Sequence, residues 1–166
     1  MKLDVDIAIK FQEKIMNDKK YMLLALKEAQ KAYNNGDVPV GCVIVLNDKV
    51  IARAHNIRHI KNVAMGHAEI VAIQKACKKL NSWMLEDATI YVTLEPCLKC
   101  AGAILNARIK RLVYATQEPK FGAIESVINV FENTKFNHQI EIEKNVLKEE
   151  SSTLLKTFFK ELRNKK

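Results

Sequence analysis

Thr89-Ile-Tyr-Val-Thr-Leu94 runs straight into Glu95-Pro-Cys97-Leu-Lys-Cys100-Ala-Gly102, and that junction decides the fold class. The first six residues are rich in β-branched and aromatic types, the composition of a pleated, buried surface. Residues 98–106 then carry a helical pattern, so a strand delivers Cys97 and Cys100 to the start of a helix. Working outward, residues 111–115 read as a core strand and 139–142 as another. Upstream, Gly41-Cys-Val-Ile-Val-Leu46 reads as a buried strand, Asn47-Asp48 as a tight turn and residues 49–54 as the hairpin partner. A polar stretch over 55–62 leads into a helix over 67–80. Asn17 and Asp18 read as N-cap residues of a helix over 19–34, with Met22, Leu26, Ala29 and Tyr33 on one face. Asn35-Gly-Asp37 ends it. A last helix spans 147–163, with Leu154, Leu155, Phe158, Phe159 and Leu162 as its apolar stripe. Residues 1–16 show no clean period. Five strands interleaved with helices predict an α/β fold whose mixed sheet is covered on both faces.

At 166 residues the chain is long enough for one domain with a substantial core. A hydrophobic share of 48%, with five glycines and three prolines, argues against disorder and against a loop-rich disulfide scaffold. Four cysteines, no secretory leader pattern and no long apolar run predict a cytoplasmic protein with no membrane span. A net charge of +8 favours an anionic partner, with RNA the natural candidate. Lysine, asparagine and isoleucine are abundant throughout, so part of that basicity is compositional.

The chemistry lies in His67-Ala-Glu69 and Cys97-Leu-Lys-Cys100. Residues two apart on a helix do not face each other, so His67 and Glu69 converge only at a helix start, where a site lies beyond the helix end. Cys97 and Cys100 open a helix in the same way. Two helix N-termini are then aimed at one point, where unpaired N–H groups and positive dipole ends favour thiolate, the form that binds zinc. The site is expected outside the strand ends, where ligands bind open α/β sheets. His67, Cys97 and Cys100 are candidate zinc ligands, and Glu69 is a carboxylate outside the ligand set. Three protein ligands leave the open position that catalytic zinc sites keep for water, with Glu69 as proton carrier. The arrangement matches the H-x-E…P-C-x-x-C pattern of zinc nucleobase deaminases. A thioredoxin-like redox pair would leave His67 and Glu69 unexplained. A structural zinc site would need a fourth ligand. Cys42 lies in a core strand and Cys77 inside a helix, and both read as small buried hydrophobes. His55, His59 and His138 have no metal spacing and read as solvent or polar-rim residues.

Beyond these residues, Asp37-Val-Pro-Val-Gly41, Ala54-His-Asn56, His67-Ala-Glu-Ile70, Phe136-Asn-His138, Thr157-Phe-Phe159 and above all the run Tyr91–Gly102 carry a resemblance. Over residues 17–166 the chain resembles the bacterial tRNA-specific adenosine deaminases of the TadA family. The resemblance implies a cytidine-deaminase-like, three-layer α/β/α sandwich with a mixed five-stranded sheet, and a homodimer. It implies a zinc-dependent deaminase domain over 17–166, preceded by an N-terminal extension of unknown role over 1–16. The implied reaction is hydrolysis of the wobble adenosine to inosine in the anticodon arm of a tRNA, with arginine tRNA expected and no nucleotide cofactor. His67, Cys97 and Cys100 would hold zinc, Glu69 would shuttle protons and Asn56 would hydrogen-bond the extruded base. Phe158, Phe159 and Arg163 fall where the family's last helix approaches the anticodon loop. The same pattern leaves Glu95 as a strand-end or supporting residue.

Phe158 and Phe159 are adjacent and cannot face the same way, so one is expected in the core and the other against a base or a partner subunit. Lys156, Lys160, Arg163, Lys165 and Lys166 make a basic end that suits RNA and also suits a helix C-terminus. The chain departs from the family pattern at Val63-Ala-Met-Gly66, Ala115, Glu118 and Glu125, all placed around the expected substrate mouth. Two rival readings share the motif: a deaminase of free guanine, cytosine or a nucleoside, and a non-catalytic tRNA-binding zinc protein. The basic last helix speaks against the first and the intact Glu69 against the second.

Overall fold

A computed structural model describes residues 2–132 and 135–166. The strands are β1 (Gly41–Leu46), β2 (Lys49–His55), β3 (Thr89–Leu94), β4 (Arg111–Thr116) and β5 (Glu141–Glu143). They form one mixed sheet in the order β2-β1-β3-β4-β5. β1 pairs antiparallel with β2 and β3, while β3, β4 and β5 run parallel. The helices are α1 (Lys2–Asn34), α2 (Arg58–Lys61), α3 (Ala68–Leu80), α4 (Leu98–Asn106) and α5 (Lys148–Asn164).

The period of two in each strand sorts the layers. Cys42 and Ile44 of β1 enter a core shared with Ala68, Ala72 and Ala76 of α3 and with Ala101 and Ile104 of α4. Val43 and Val45 point the other way, onto Tyr21, Met22 and Ala25 of α1. α5 joins the layer of α1 through Phe158, whose ring meets Tyr33 edge-on with centroids 5.5 Å apart. The result is the three-layer α/β/α sandwich that the sequence predicts. Close packing of α1 on β1 depends on Gly41, where a Cβ would lie 1.8 Å from the Ala25 carbonyl oxygen. No described helix is long and apolar enough to cross a membrane.

The first helix corrects the sequence reading. Asn17 and Asp18 do not cap it; α1 runs unbroken from Lys2 to Asn34. Asp18 is buried within it and grips Arg111 with both oxygens, at 2.6 Å to Nη1 and 2.7 Å to Nη2. It also accepts the Tyr91 hydroxyl at 2.9 Å. Val5, Ile7 and Ile9 gave no helical period because they face solvent, where no core selects one face. Two smaller differences concern irregular ground. The polar stretch after β2 contains the single turn α2, and β5 lies slightly later than predicted.

Candidate active site

His67 is the N-cap of α3 and Cys97 the N-cap of α4, both with extended backbone (φ −79°, ψ 149° and φ −75°, ψ 172°). At that position the chain has not yet entered the helix, so each side chain projects beyond the helix end. His67 Nδ1 lies 3.6 Å from Cys97 Sγ and 3.6 Å from Cys100 Sγ. The three donor atoms sit within 4.8 Å of one another, a group that could hold a metal ion. The Cys100 thiol donates to Cys97 and, against the effect of burial, His67 and the Cys100 backbone N–H help to hold the Cys97 thiol down at about 3. Cys100 is pushed up in turn, first as that donor, then by burial and by the negative charges of Glu69 and Cys97.

Glu69 follows in the first turn of α3, 3% exposed. Burial raises its carboxyl above the ordinary value. Its Oε2 has no hydrogen-bond partner among the described residues. Buried polar atoms are nearly always satisfied; Arg111 Nε and Tyr114 Oη are without a hydrogen bond too, but Glu69 Oε2 stands out because its residue lines the cavity with His67 and Cys97.

These residues line a cavity of about 450 Å³. His67, Glu69 and Cys97 share it with Asn56 after β2, with Arg58 and His59 of α2, with Glu118, Lys120 and Phe121 after β4, and with Phe159 of α5. Strands β2, β3 and β4 all deliver their C-terminal ends here, the expected place for a ligand in an open α/β sheet. Cys100 lies fully buried beside them. Asn56 has a structural role as well, because its Oδ1 accepts the Ala68 N–H at 2.9 Å and satisfies a free donor at the start of α3. Phe158 is 8% exposed and packs on Tyr33, away from the cavity, whereas Phe159 lines it. Arg163 lines an adjoining groove of about 560 Å³ with Lys120, Lys156 and Phe159.

Two buried carboxylates shape the cavity in ways that spacing does not reveal. Asp37 is fully buried and accepts the N–H groups of Val38 at 2.8 Å, His59 at 2.9 Å and Ile60 at 3.3 Å. It thereby fixes α2, with Arg58 and His59, at the cavity edge. Glu95 accepts N–H groups from Glu118, Ile124, Glu125 and Ser126 and the Ser126 hydroxyl. Turn chemistry explains Asp37 in sequence, and only the fold shows that its partners lie 22 and 23 residues away. The remaining histidines are less free than they read. His55 Nδ1 lies 3.0 Å from Glu28 Oε2, and His138 Nε2 meets the Ile109 carbonyl oxygen at 2.7 Å.

The model of the MafB19-like deaminase family matches residues 16–163. A tRNA-specific adenosine deaminase from Bacillus subtilis is 47% identical over 149 residues, 90% of this chain and 92% of the relative. One from Rickettsia typhi is 46% identical over 84% of this chain and 96% of the relative. A structure solved in a study of A-to-I editing by tRNA:A34 deaminases at the wobble position of transfer RNA is similar with a TM-score of 0.79. It shares 43% identity and covers 82% of this chain and 99% of that one. A guanine deaminase from Nitrosomonas europaea, 19% identical with a TM-score of 0.74 over 84% of this chain and 83% of its own, shares the fold alone. High identity across nearly the whole of both chains, on a fold that aligns as well, shows that this chain belongs to the tRNA-specific adenosine deaminases, within the MafB19-like deaminase family.

Proposed function

We propose that this deaminase hydrolyses the wobble adenosine of a tRNA anticodon to inosine, releasing ammonia, with arginine tRNA the species the family resemblance implies. One observation carries the reading: Glu69 Oε2 is buried without a partner beside the His67, Cys97 and Cys100 donors, at a cavity open to an extruded base. The donor set fits zinc, since imidazole and thiolate both suit it and three protein ligands leave a position open. Bound zinc supplies a nucleophile by acidifying water near neutral pH. Glu69 would accept one proton of the attacking water at Oε2 and deliver it to the adenine ring nitrogen, then take the remaining proton from the hydroxyl now on the carbon and pass it to the amine, so that the C–N bond breaks and ammonia leaves. Burial, by raising its affinity for the proton, suits it to hold one between those transfers.

Asn56 lines the cavity next to His67 and orients the extruded base, while Phe159 and Arg163 receive the flanking anticodon nucleotides. Residues 17–166 form the deaminase domain and residues 1–16 an appended helical extension, in keeping with a family match that begins at residue 16. The protein works in the cytoplasm, where tRNA is found. A homodimer is supported by exposed Val63, Met65 and Leu98 on segments tied together by Lys99 bonding the Ala64 carbonyl. Light scattering that finds a monomer at working concentration would remove the dimer from this reading. The function itself is tested by incubating the purified protein with arginine tRNA, adenosine, guanine and cytidine. Inosine at the wobble position of the tRNA is the expected product; ammonia from guanine or cytidine alone would replace tRNA with a free base or nucleoside as substrate.

A further inference from the structure

Glu95 stands between the end of β3 and Cys97, next to the cavity, yet both of its oxygens are committed to one loop. Oε1 accepts the Glu118 N–H at 3.2 Å and the Ser126 hydroxyl. Oε2 accepts the N–H groups of Ile124, Glu125 and Ser126 at 3.1, 3.0 and 3.1 Å. These donors belong to residues 118–126, which leave β4 and turn back over the cavity. The other flank of the loop is stitched to the segment that carries the metal-ligand cysteine. Gly122 forms a β-bridge with Cys97, and the Ala123 N–H donates to the Pro96 carbonyl at 2.9 Å. Gly122 is what lets the backbone come so close. A Cβ there would lie 2.2 Å from Glu95 Oε2 and 2.6 Å from the Glu118 carbonyl oxygen.

The loop places Glu118, Lys120 and Phe121 on the cavity wall, and Phe121 is 72% exposed at its rim. An ammonium and an aromatic face at a cavity mouth are suited to a phosphate and an unstacked base. We propose that Glu95 is a positioning residue for substrate: its carboxylate folds residues 118–126 into the wall that holds the nucleic acid, and takes no part in proton transfer. Several N–H groups converging on one buried anion form charge-assisted bonds that few other side chains can supply. Removing the anion leaves those donors unpaired and opens the loop, while the sheet behind it keeps its own pairing. The identity of the gripped substrate rests on the tRNA reading above; the anchoring of the loop does not.

Two variants of the metal-loaded protein test this. Glu95→Gln turns an acceptor oxygen into a donor facing the loop, and Gly122→Ala pushes the loop off an intact carboxylate. Amide hydrogen exchange over residues 118–126 should accelerate at least about tenfold in both, with exchange in β1 unchanged. Metal content should stay at the wild-type level. KM for tRNA should rise about tenfold or more, with kcat within about threefold of wild type. Unchanged exchange in the loop overturns the proposal. Metal loss in both variants overturns it too, by making Glu95 a support for the ligands. A fall in kcat at constant KM would return Glu95 to the chemistry. If Glu95→Gln does not fold, Gly122→Ala alone decides by the same outcomes. If the wild-type protein leaves tRNA untouched, the substrate reading fails while the exchange data still decide the anchoring.

Discussion

At Glu69 the chain buries a carboxylate oxygen that meets no donor among the described residues, a state that costs on the order of 1–3 kcal/mol when a buried group is left unpaired. Glu69→Gln keeps the shape and removes the charge, so it should fold at least as stably and keep its metal. Turnover should fall by roughly two to four powers of ten, the usual contribution of a positioned acid–base group. Metal analysis and a single-turnover assay read both effects, and near wild-type turnover would hand proton transfer to another group. Asp18 and Arg111 present a contrasting case, a buried pair joined by two short hydrogen bonds, with side chains 6% and 9% exposed and Arg111 Nε facing Glu141 at 3.4 Å. Removing one partner strands the other charge, so Asp18→Asn should cost about 3–5 kcal/mol. Each of those kcal/mol should lower Tm by about 2–4 °C in a domain of this size. The double variant Asp18→Leu/Arg111→Met should recover most of the loss. A single variant that melts with wild type would show that the pair is not coupled to folding. The two cases also differ in legibility. His67, Glu69, Cys97 and Cys100 stand out because the metal and proton chemistry proposed for them admits few residue types at few spacings. Asp18 and Arg111 are 93 residues apart, and an aspartate before a helical run looks like a cap until the fold brings the arginine to it.

Among the elements, the strands with a core on both faces were the most readable. β1 and β3 have a buried side chain at nearly every position, so composition alone located them. β5 shows exposed, half-buried, exposed, and its charged residues gave a weaker signal that slipped along the chain. The helix over α1 was legible only from residue 19, where Met22, Ala25 and Ala29 meet the sheet. Ahead of it, residues 4–14 are all exposed, and helix formation there is propagation from a packed segment rather than an amphipathic choice. That difference in anchoring makes a prediction. The Lys14–Glu141 pair ties the early part of α1 to the sheet edge, but its side chains are 47% and 51% exposed, a setting in which such pairs contribute about 0–1 kcal/mol. Deleting residues 1–15 should therefore leave metal content and deamination unchanged and lower Tm by less than about 4 °C. A truncated protein that loses activity while remaining folded would show that the extension takes part in substrate binding.

For the whole molecule, the net charge of +8 matters through where the unpaired cations stand. Arg111 is spent on Asp18, Lys31 on Glu28 and Lys144 on Glu125. Among the described residues, Lys156, Lys160, Arg163, Lys165 and Lys166 of the last helix and its end make no ion pair. The fold divides this basic group in a way the sequence does not. Lys156 and Arg163, seven positions apart and thus on one face of α5, line the groove that adjoins the catalytic cavity. Lys165 and Lys166 lie just past the helix, both exposed. On the proposed reading, a tRNA whose wobble base reaches Glu69 would run its neighbouring phosphates along the groove, so the groove pair should carry the electrostatic contact. Each cation that neutralises a phosphate adds about 0.7–0.9 to the slope of log affinity against log salt. Lys156→Gln with Arg163→Gln should flatten the slope by about 1.5. Lys165→Gln with Lys166→Gln should change it by much less, and metal content should be the same in both variants. Binding titrations across a range of salt concentrations separate the possibilities. An unchanged slope in the groove variant, with a drop in the tail variant, would move the RNA footprint off the groove and onto the chain end.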